Sequence, residues 1–264
     1  MRMPNPRFIY VLRLYRIHLV SERSGEQNNS GLEQNDRALY DARLWAEALR
    51  WLGVADEFEC HLKESRASFT AINERHTVYS QVTMESLSGR HNKESAYRLV
   101  MPRPETVRAI RSGVVELEPN AEGIQVRSKS GSYHVEGSKI DGKIRSLEIN
   151  EIESTFLDLS QLKECCTHFG QAEFIYFNFE GGPLYARDSL ETGSQKENLT
   201  ILAGKLSGII NVGVNLNELT SVIRRIPAWS KTIEISLGND KPLRVHAGKH
   251  GMQLLAYLAP RAKD

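Results

Sequence analysis

IINVGVNLNELTSVIRRIPAWSKTIEISLGNDKPLRVHAGKHGMQLLAYLAPR, running from Ile209 to Arg261, carries the clearest alternation of strand and helix signals in the chain. Ile209 to Val214 has the composition of a strand. A helix begins at Asn217, whose side-chain oxygen suits an N-cap, and stops before Pro227. Lys231 to Leu237 then alternates, with Thr232, Glu234 and Ser236 on one face and Ile233, Ile235 and Leu237 on the other. A Gly238-Asn239-Asp240 turn leads to a strand at Leu243 to Ala247, and Gly248 to Gly251 leads to another at Met252 to Leu258. The spacing therefore predicts a β-α-β-β-β unit. On its helix Leu216, Leu219, Val222 and Ile223 form one apolar stripe, and Arg224 and Arg225 project at the basic end.

The same pattern recurs upstream. Asp36 can cap a helix running to Leu52, with Ala42, Trp45, Ala46, Leu49 and Leu52 at helical spacing and Gly53 as its stop. Strand-like runs follow at Glu57 to Leu62, Arg66 to Ile72 and Thr77 to Met84. Tyr97 to Met101 leads to a helix opened by Pro104 and closed by Gly113, with short strands at Val114 to Leu117, Gly123 to Arg127, Ser132 to Val135 and Lys143 to Leu147. A third unit starts at Phe156, with Ser160 as N-cap, a helix to Phe169 and Gly170 as its stop. Its strands are Glu173 to Phe179, Leu184 to Arg187 and Leu199 to Ala203. Helix starts at Asp36, Pro102, Ser160 and Asn217 thus fall roughly every 60 residues, which points to repetition of one supersecondary unit. One unit has too small a core to stand alone, so the units are expected to pair into two domains: residues 36–147 and 156–264, with 148–155 as connector.

At 264 residues, 40% hydrophobic and 25% charged, the chain can bury a substantial core. A formal net charge of +1 offers no global excess for wrapping nucleic acid, so any such binding must come from segregating charge onto one surface. Cys60, Cys165 and Cys166 lack zinc-ligand spacing and read as reduced thiols of an intracellular protein. Phe8 to Val20 carries Arg13 and Arg16, too short and too charged for a membrane span. An Arg-rich, acid-free start also fits a mitochondrial targeting segment, but a first strand or a poorly ordered extension is the expectation, ahead of a polar linker at Ser21 to Gln34.

Basic residues gather on the helices. Arg43 and Arg50 lie two turns apart opposite the first apolar stripe; Arg103, Arg108 and Arg111 belong to the second helix, Lys163 to the third, and Arg224 and Arg225 to the fourth. Acids collect in strands and connections, at Glu116, Glu118, Glu122, Glu148, Glu151 and Glu153. Basic helix faces of this kind would contact backbone phosphates without reading sequence. Catalytic and metal-binding signals are poor, so no catalytic residue, metal or cofactor is expected. His61, His76, His91, His134, His168, His246 and His250 are scattered, and no P-loop, GxGxxG or GxSxG occurs. Cys165-Cys166 reads as a small apolar pair within a helix, and Trp45, Trp51 and Trp229 as core or interface residues.

The ending QLLAYLAPR, Gln253 to Arg261, preceded by SLGNDKPLR at Ser236 to Arg244, resembles the last strands and tail of sliding DNA clamps of the proliferating cell nuclear antigen type. The resemblance implies an α+β, two-domain clamp fold of four β-α-β-β-β units, with helices lining a central hole and antiparallel sheets outside. It further implies a non-enzymatic subunit of a homo- or heterotrimeric ring that encircles duplex DNA. Its partners would be the other clamp subunits, a clamp loader and client proteins of replication, repair or the DNA-damage checkpoint, with no membrane involved. DNA contact would fall to Arg43, Arg50, Arg103, Arg108, Arg111, Lys163, Arg224 and Arg225. Client binding would fall to Glu148, Ile149 and Ile152 of the connector and to Leu258, Ala259 and Pro260 of the tail. The implied location is the nucleus, or the cytoplasm in a prokaryote.

Two segments are similar instead to the nine-one-one checkpoint clamp: SFTAINERHTVY at Ser68 to Tyr79 and FNFEGGPLYARDSL at Phe177 to Leu190. They tilt the expectation slightly toward a checkpoint-type or divergent clamp over a replicative one. A scaffold that binds proteins at its sheet edges and never meets DNA is the reading from a different class.

Overall fold

The structure, a computed structural model, describes residues 38–108, 110, 112–140, 147, 149, 153–188, 199–201 and 206–261. Within these residues the order strand, helix, strand, strand, strand occurs four times: β1 (Ala38–Asp41), α1 (Ala42–Leu52), β2 (Glu57–Glu64), β3 (Arg66–Ile72), β4 (Val78–Glu85); β5 (His91–Val100), α2 (Pro104–Arg108), β6 (Val114–Asn120), β7 (Gly123–Ser128), β8 (Gly131–Lys139); β9 (Glu153–Asp158), α3 (Leu159–His168), β10 (Phe174–Glu180), β11 (Leu184–Arg187), β12 (Leu199–Ile201); β13 (Ile209–Asn215), α4 (Leu216–Arg225), β14 (Thr232–Leu237), β15 (Leu243–Lys249), β16 (Met252–Leu258). The expected N-terminal strand, the Asp36 cap and most of the expected strand at Lys143 to Leu147 lie outside the described residues.

Three helices begin by the same chemistry. Asp41, Asp158 and Asn215 each end a strand in extended conformation and turn a side-chain oxygen onto the first free amides of the helix. Asp41 Oδ1 accepts from Arg43 N at 2.7 Å, Asp158 Oδ1 from Ser160 N at 2.8 Å, and Asn215 Oδ1 from Asn217 N at 3.0 Å. These caps correct the expected starts at Asp36, Ser160 and Asn217. The helix expected from Pro104 to Gly113 shrinks to the single turn of α2, which buries none of its residues. Between those two signals only Val107 and Ile110 offer a full apolar side chain, too few for a helical stripe.

The strands form a 12-stranded sheet, β1-β6-β7-β8-β5-β2-β3-β4-β16-β15-β14-β9, and a 4-stranded one, β12-β11-β10-β13. The large sheet is closed at its middle by β16 lying antiparallel to β4, in register from Met84↔Met252 to Val78↔Leu258. α1 packs over this join against β3, β4 and β16, and its Trp51 Nε1 donates to Leu255 O at 3.2 Å. Trp45, Trp51, Phe58, Phe69, Val82, Leu254 and Leu258 are buried in one core there, each aliphatic side chain stabilising by roughly 1.5–3 kcal/mol.

Free strand edges are covered by local groups. Leu39 in β1 exchanges backbone bonds with Leu87 and Ser88. On β13, the Asn239 amide accepts from Asn211 N and donates to Ile209 O, both at 2.7 Å, taking the place of a neighbouring strand. Inside the sheet, Gly137 lies so close to β5 that an added Cβ would sit 2.2 Å from Arg98 O.

The other face of the last strands is a charged ladder. Glu234 on β14 accepts from Arg244 at 2.5 Å and from His246 Nδ1 at 2.9 Å, both on β15, and His246 Nε2 meets Gln253 of β16 at 2.7 Å. Burial pushes the Glu234 carboxyl up, but hydrogen bonds from His246 and Ser154 and the charge of Arg244 outweigh it and hold it below its ordinary 4.5. A carboxyl depressed on folding adds stability that is present above 4.5 and lost as pH falls through the folded value.

Two outcomes follow from this packing. Gly137→Ala is expected to cost about 1–3 kcal/mol in urea unfolding, since a backbone carbonyl cannot rotate away; wild-type stability would contradict the close approach. Glu234→Gln is expected to lower Tm at neutral pH and flatten the fall in Tm below pH 4.5, whereas an acid limb identical to wild type would exclude this carboxylate.

Candidate functional site

The C-terminal ends of α1 and α4 meet. Arg50 Nη2 donates to Arg224 O at 2.9 Å, and Arg225 Nη2 donates to Gly53 O at 2.8 Å. Arg225 Nη1 is held in turn by Ser221 O at 2.7 Å and by the Ser221 hydroxyl. Arg50 and Arg224 are exposed and Arg225 is half-buried, and among the described residues no carboxylate forms an ion pair with any of the three. Burial, and to a lesser degree the charge of Arg50, pull the Arg225 guanidinium below its ordinary value. Beside them, between the end of α3 and α4, lies a cavity of about 440 Å³. Its polar lining is Asn217, Thr220, Ser221, Arg224 and Arg225, with no carboxylate. Chemically this is a donor-rich recess for an oxyanion.

The remaining basic positions divide. Arg43 is exposed on the same helix as Arg50, two turns earlier. Lys163 is exposed on α3 but has exposed Glu164 as its neighbour. Arg103 and Arg108 are exposed at the two ends of α2, and Arg111 lies outside the described residues. Cys165 and Cys166 are buried on α3, and burial pushes the Cys165 thiol up to about 12, so both stay protonated. Trp45 and Trp51 are core residues. Trp229 donates from Nε1 to Glu47 at 2.6 Å, with Lys249 stacked on its ring at 4.5 Å. Among the described residues no group of His, Cys, Asp or Glu could hold a metal ion, and no helix is long and apolar enough to cross a membrane.

A second site surrounds the tail. Leu258 is fully buried, so it contributes packing, while Ala259 and Pro260 are half-buried. Ala259 N donates to Thr77 O at 2.8 Å, and Thr77 donates its hydroxyl to Glu218 of α4. Arg261 N donates to Gly213 O at 2.7 Å; its guanidinium stacks on Phe174 at 4.8 Å and hydrogen-bonds the Tyr176 hydroxyl. On the sheet face opposite α1, Ile72, 48% exposed, stands beside the Tyr79–Tyr257 ring pair, whose centroids are 5.9 Å apart. A backbone hydrogen bond joins Leu147, itself 40% exposed, to Tyr79. Ile149 is half-buried, and Glu148 and Ile152 lie outside the described residues. This apolar patch on a face otherwise lined by Ser68, Thr70, Gln81 and Thr83 was open to sequence reading, as the odd members of polar strand faces.

No family model matches the chain, and no curated protein matches it. Solved structures do. PCNA of A. fulgidus, bound to the C-terminal region of FEN-1, superposes with a TM-score of 0.72 at 14% identity over 86% of this chain and 99% of that one. The chain has the sliding-clamp fold. Entamoeba histolytica PCNA gives 0.68 at 13% identity over 86% and 98%, and a chain of the Sulfolobus tokodaii PCNA2–PCNA3 complex gives 0.65 at 15% over 86% and 100%. Within this clamp fold the chain's own tail lock is testable. Arg261→Ala is expected to speed hydrogen exchange at the Ala259 amide about tenfold by releasing the tail from Phe174 and Tyr176; unchanged exchange would show that the lock does not hold the tail.

Proposed function

We propose that this chain is a non-enzymatic subunit of a trimeric sliding clamp that encircles duplex DNA and tethers client proteins. The observation that carries the reading is the meeting of Arg50, Arg224 and Arg225 on the helices of a clamp fold, none of them ion-paired among the described residues, beside a recess with no carboxylate in its lining. The exposed Arg224 guanidinium, set beside two further positive charges and with no carboxylate partner among the described residues, favours phosphate, and contact through phosphates leaves a ring free to slide. One subunit cannot surround a duplex, so copies or relatives of this chain must close the ring. The Sulfolobus tokodaii complex, made of PCNA2 and PCNA3, supports a ring assembled from unlike subunits as readily as from like ones.

The Ile72, Tyr79, Tyr257 and Leu147 patch, with Ala259 and Pro260 beside it, is the proposed client site. FEN-1's C-terminal region bound to A. fulgidus PCNA supports a peptide as the occupant. Residues 36–147 and 156–264 are proposed as the two clamp domains and 148–155 as their connector. Loading onto closed DNA calls for a loader, and the segments at Ser68 to Tyr79 and Phe177 to Leu190 favour the checkpoint-type or divergent side of the clamps.

The test uses Arg43→Glu with Arg224→Glu, exposed side chains that hold no other element in place. Duplex affinity in the presence of the ring partners should fall. The slope of log K against log salt should shrink by about 0.9 for each phosphate that is no longer neutralised. Unchanged affinity and slope would overturn the DNA reading in favour of a scaffold that never meets DNA.

A further inference from the structure

A helix leaves its last carbonyls without partners and carries partial negative charge at that end. α1 and α4 meet this need by exchange. The last-turn arginine of each helix donates to the other helix's terminal carbonyl: Arg50 to Arg224 O and Arg225 to Gly53 O, across 174 and 172 residues of chain. The Arg225 fork is aimed by Ser221, which takes Nη1 and leaves Nη2 for Gly53. Next to the exchange the joint carries an open groove whose lining includes Asp56, Glu74 and Glu218. A cavity of about 410 Å³ lies between Gly53–Asp56, the Asn73–Arg75 turn and the Ser221 side of α4. Val78 and Val222 close the floor of this groove by apolar packing, and the exposed rim is bridged by the arginine hydrogen bonds.

We propose that Arg50 and Arg225 form a reciprocal clasp between two helix C-termini that holds the first and last units of the chain together, and that Arg225 is a positioning residue rather than a phosphate ligand. The clasp leaves the Arg224 side chain free while fixing its backbone. The phosphate-facing role of Arg224 rests on the clamp reading; the clasp itself does not. The two guanidiniums repel each other, and a phosphate bound at Arg224 offsets that repulsion, so occupancy of the recess tightens the joint.

Charge and geometry are separated by two variants. Arg225→Lys keeps the charge but loses the planar fork that reaches Ser221 and Gly53 together; Arg225→Gln loses both. The clasp predicts that both variants speed hydrogen exchange of the Ala55 and Ile226 amides by about tenfold or more, with Lys giving no rescue. A phosphate ligand predicts the reverse: exchange as in wild type, duplex binding lost in Arg225→Gln and restored in Arg225→Lys. That result would overturn the proposal. Should neither variant fold, Arg50→Lys opens the other half of the exchange with Arg225 intact, and wild-type exchange at Ile226 in that variant would overturn it equally. Failure of the Arg43 and Arg224 variants to alter DNA binding would remove the clamp reading while leaving these exchange rates to judge the clasp.

Discussion

Seven antiparallel residue pairs between β16 and β4 join the first and last units in one continuous sheet. Without them β4 and β16 would each be an open edge with one apolar face, the condition in which strands pair with the wrong partner. The pairing also brings the last unit against the first, which seats α1 over the join and lets its end reach the end of α4. Everything proposed about function uses that meeting. The energetic weight lies in buried aliphatic and aromatic side chains, and the direction of assembly lies in backbone ladders that only one register satisfies.

Charge is distributed to match. On the strands, acids are answered by bases nearby: Glu118 by Arg127 at 2.9 Å, Glu59 by Arg98 at 3.4 Å, and Glu234 by Arg244 and His246. Exposed pairs of this kind contribute about 0–1 kcal/mol each, so their main effect is to neutralise the sheet. Among the described residues no carboxylate forms an ion pair with Arg50, Arg224 or Arg225. A protein of net charge +1 thereby presents a locally cationic surface, which is what segregation without global excess requires.

Much of this was legible before any coordinates. The last unit's strands fall within two residues of their expected bounds because period-two alternation, a Gly-Asn-Asp turn and a Gly-bounded hairpin all agree there. β1 escaped notice because Ala38 and Tyr40 fit a helical pattern as well as a strand, and only pairing with β6 decides between them. The uniform rule at helix starts, an Asp or Asn ending a strand, becomes visible only once Asp41, Asp158 and Asn215 are seen together. α2 is shorter than its strong start and stop signals suggest because its apolar stripe is missing. The arginines of the site could be picked out by position on their helices. Their exchange of carbonyls could not, since residues more than 170 apart leave no local trace.

In the proposed clamp, arginine-bearing helix ends face a duplex threaded through a closed ring. Topology tests this more directly than affinity. Protein loaded with its ring partners onto a nicked circular duplex should stay bound through a high-salt wash and dissociate when one cut linearises the circle. Equal retention on circular and linear DNA, or equal loss from both, would contradict encirclement and with it the account given for this fold.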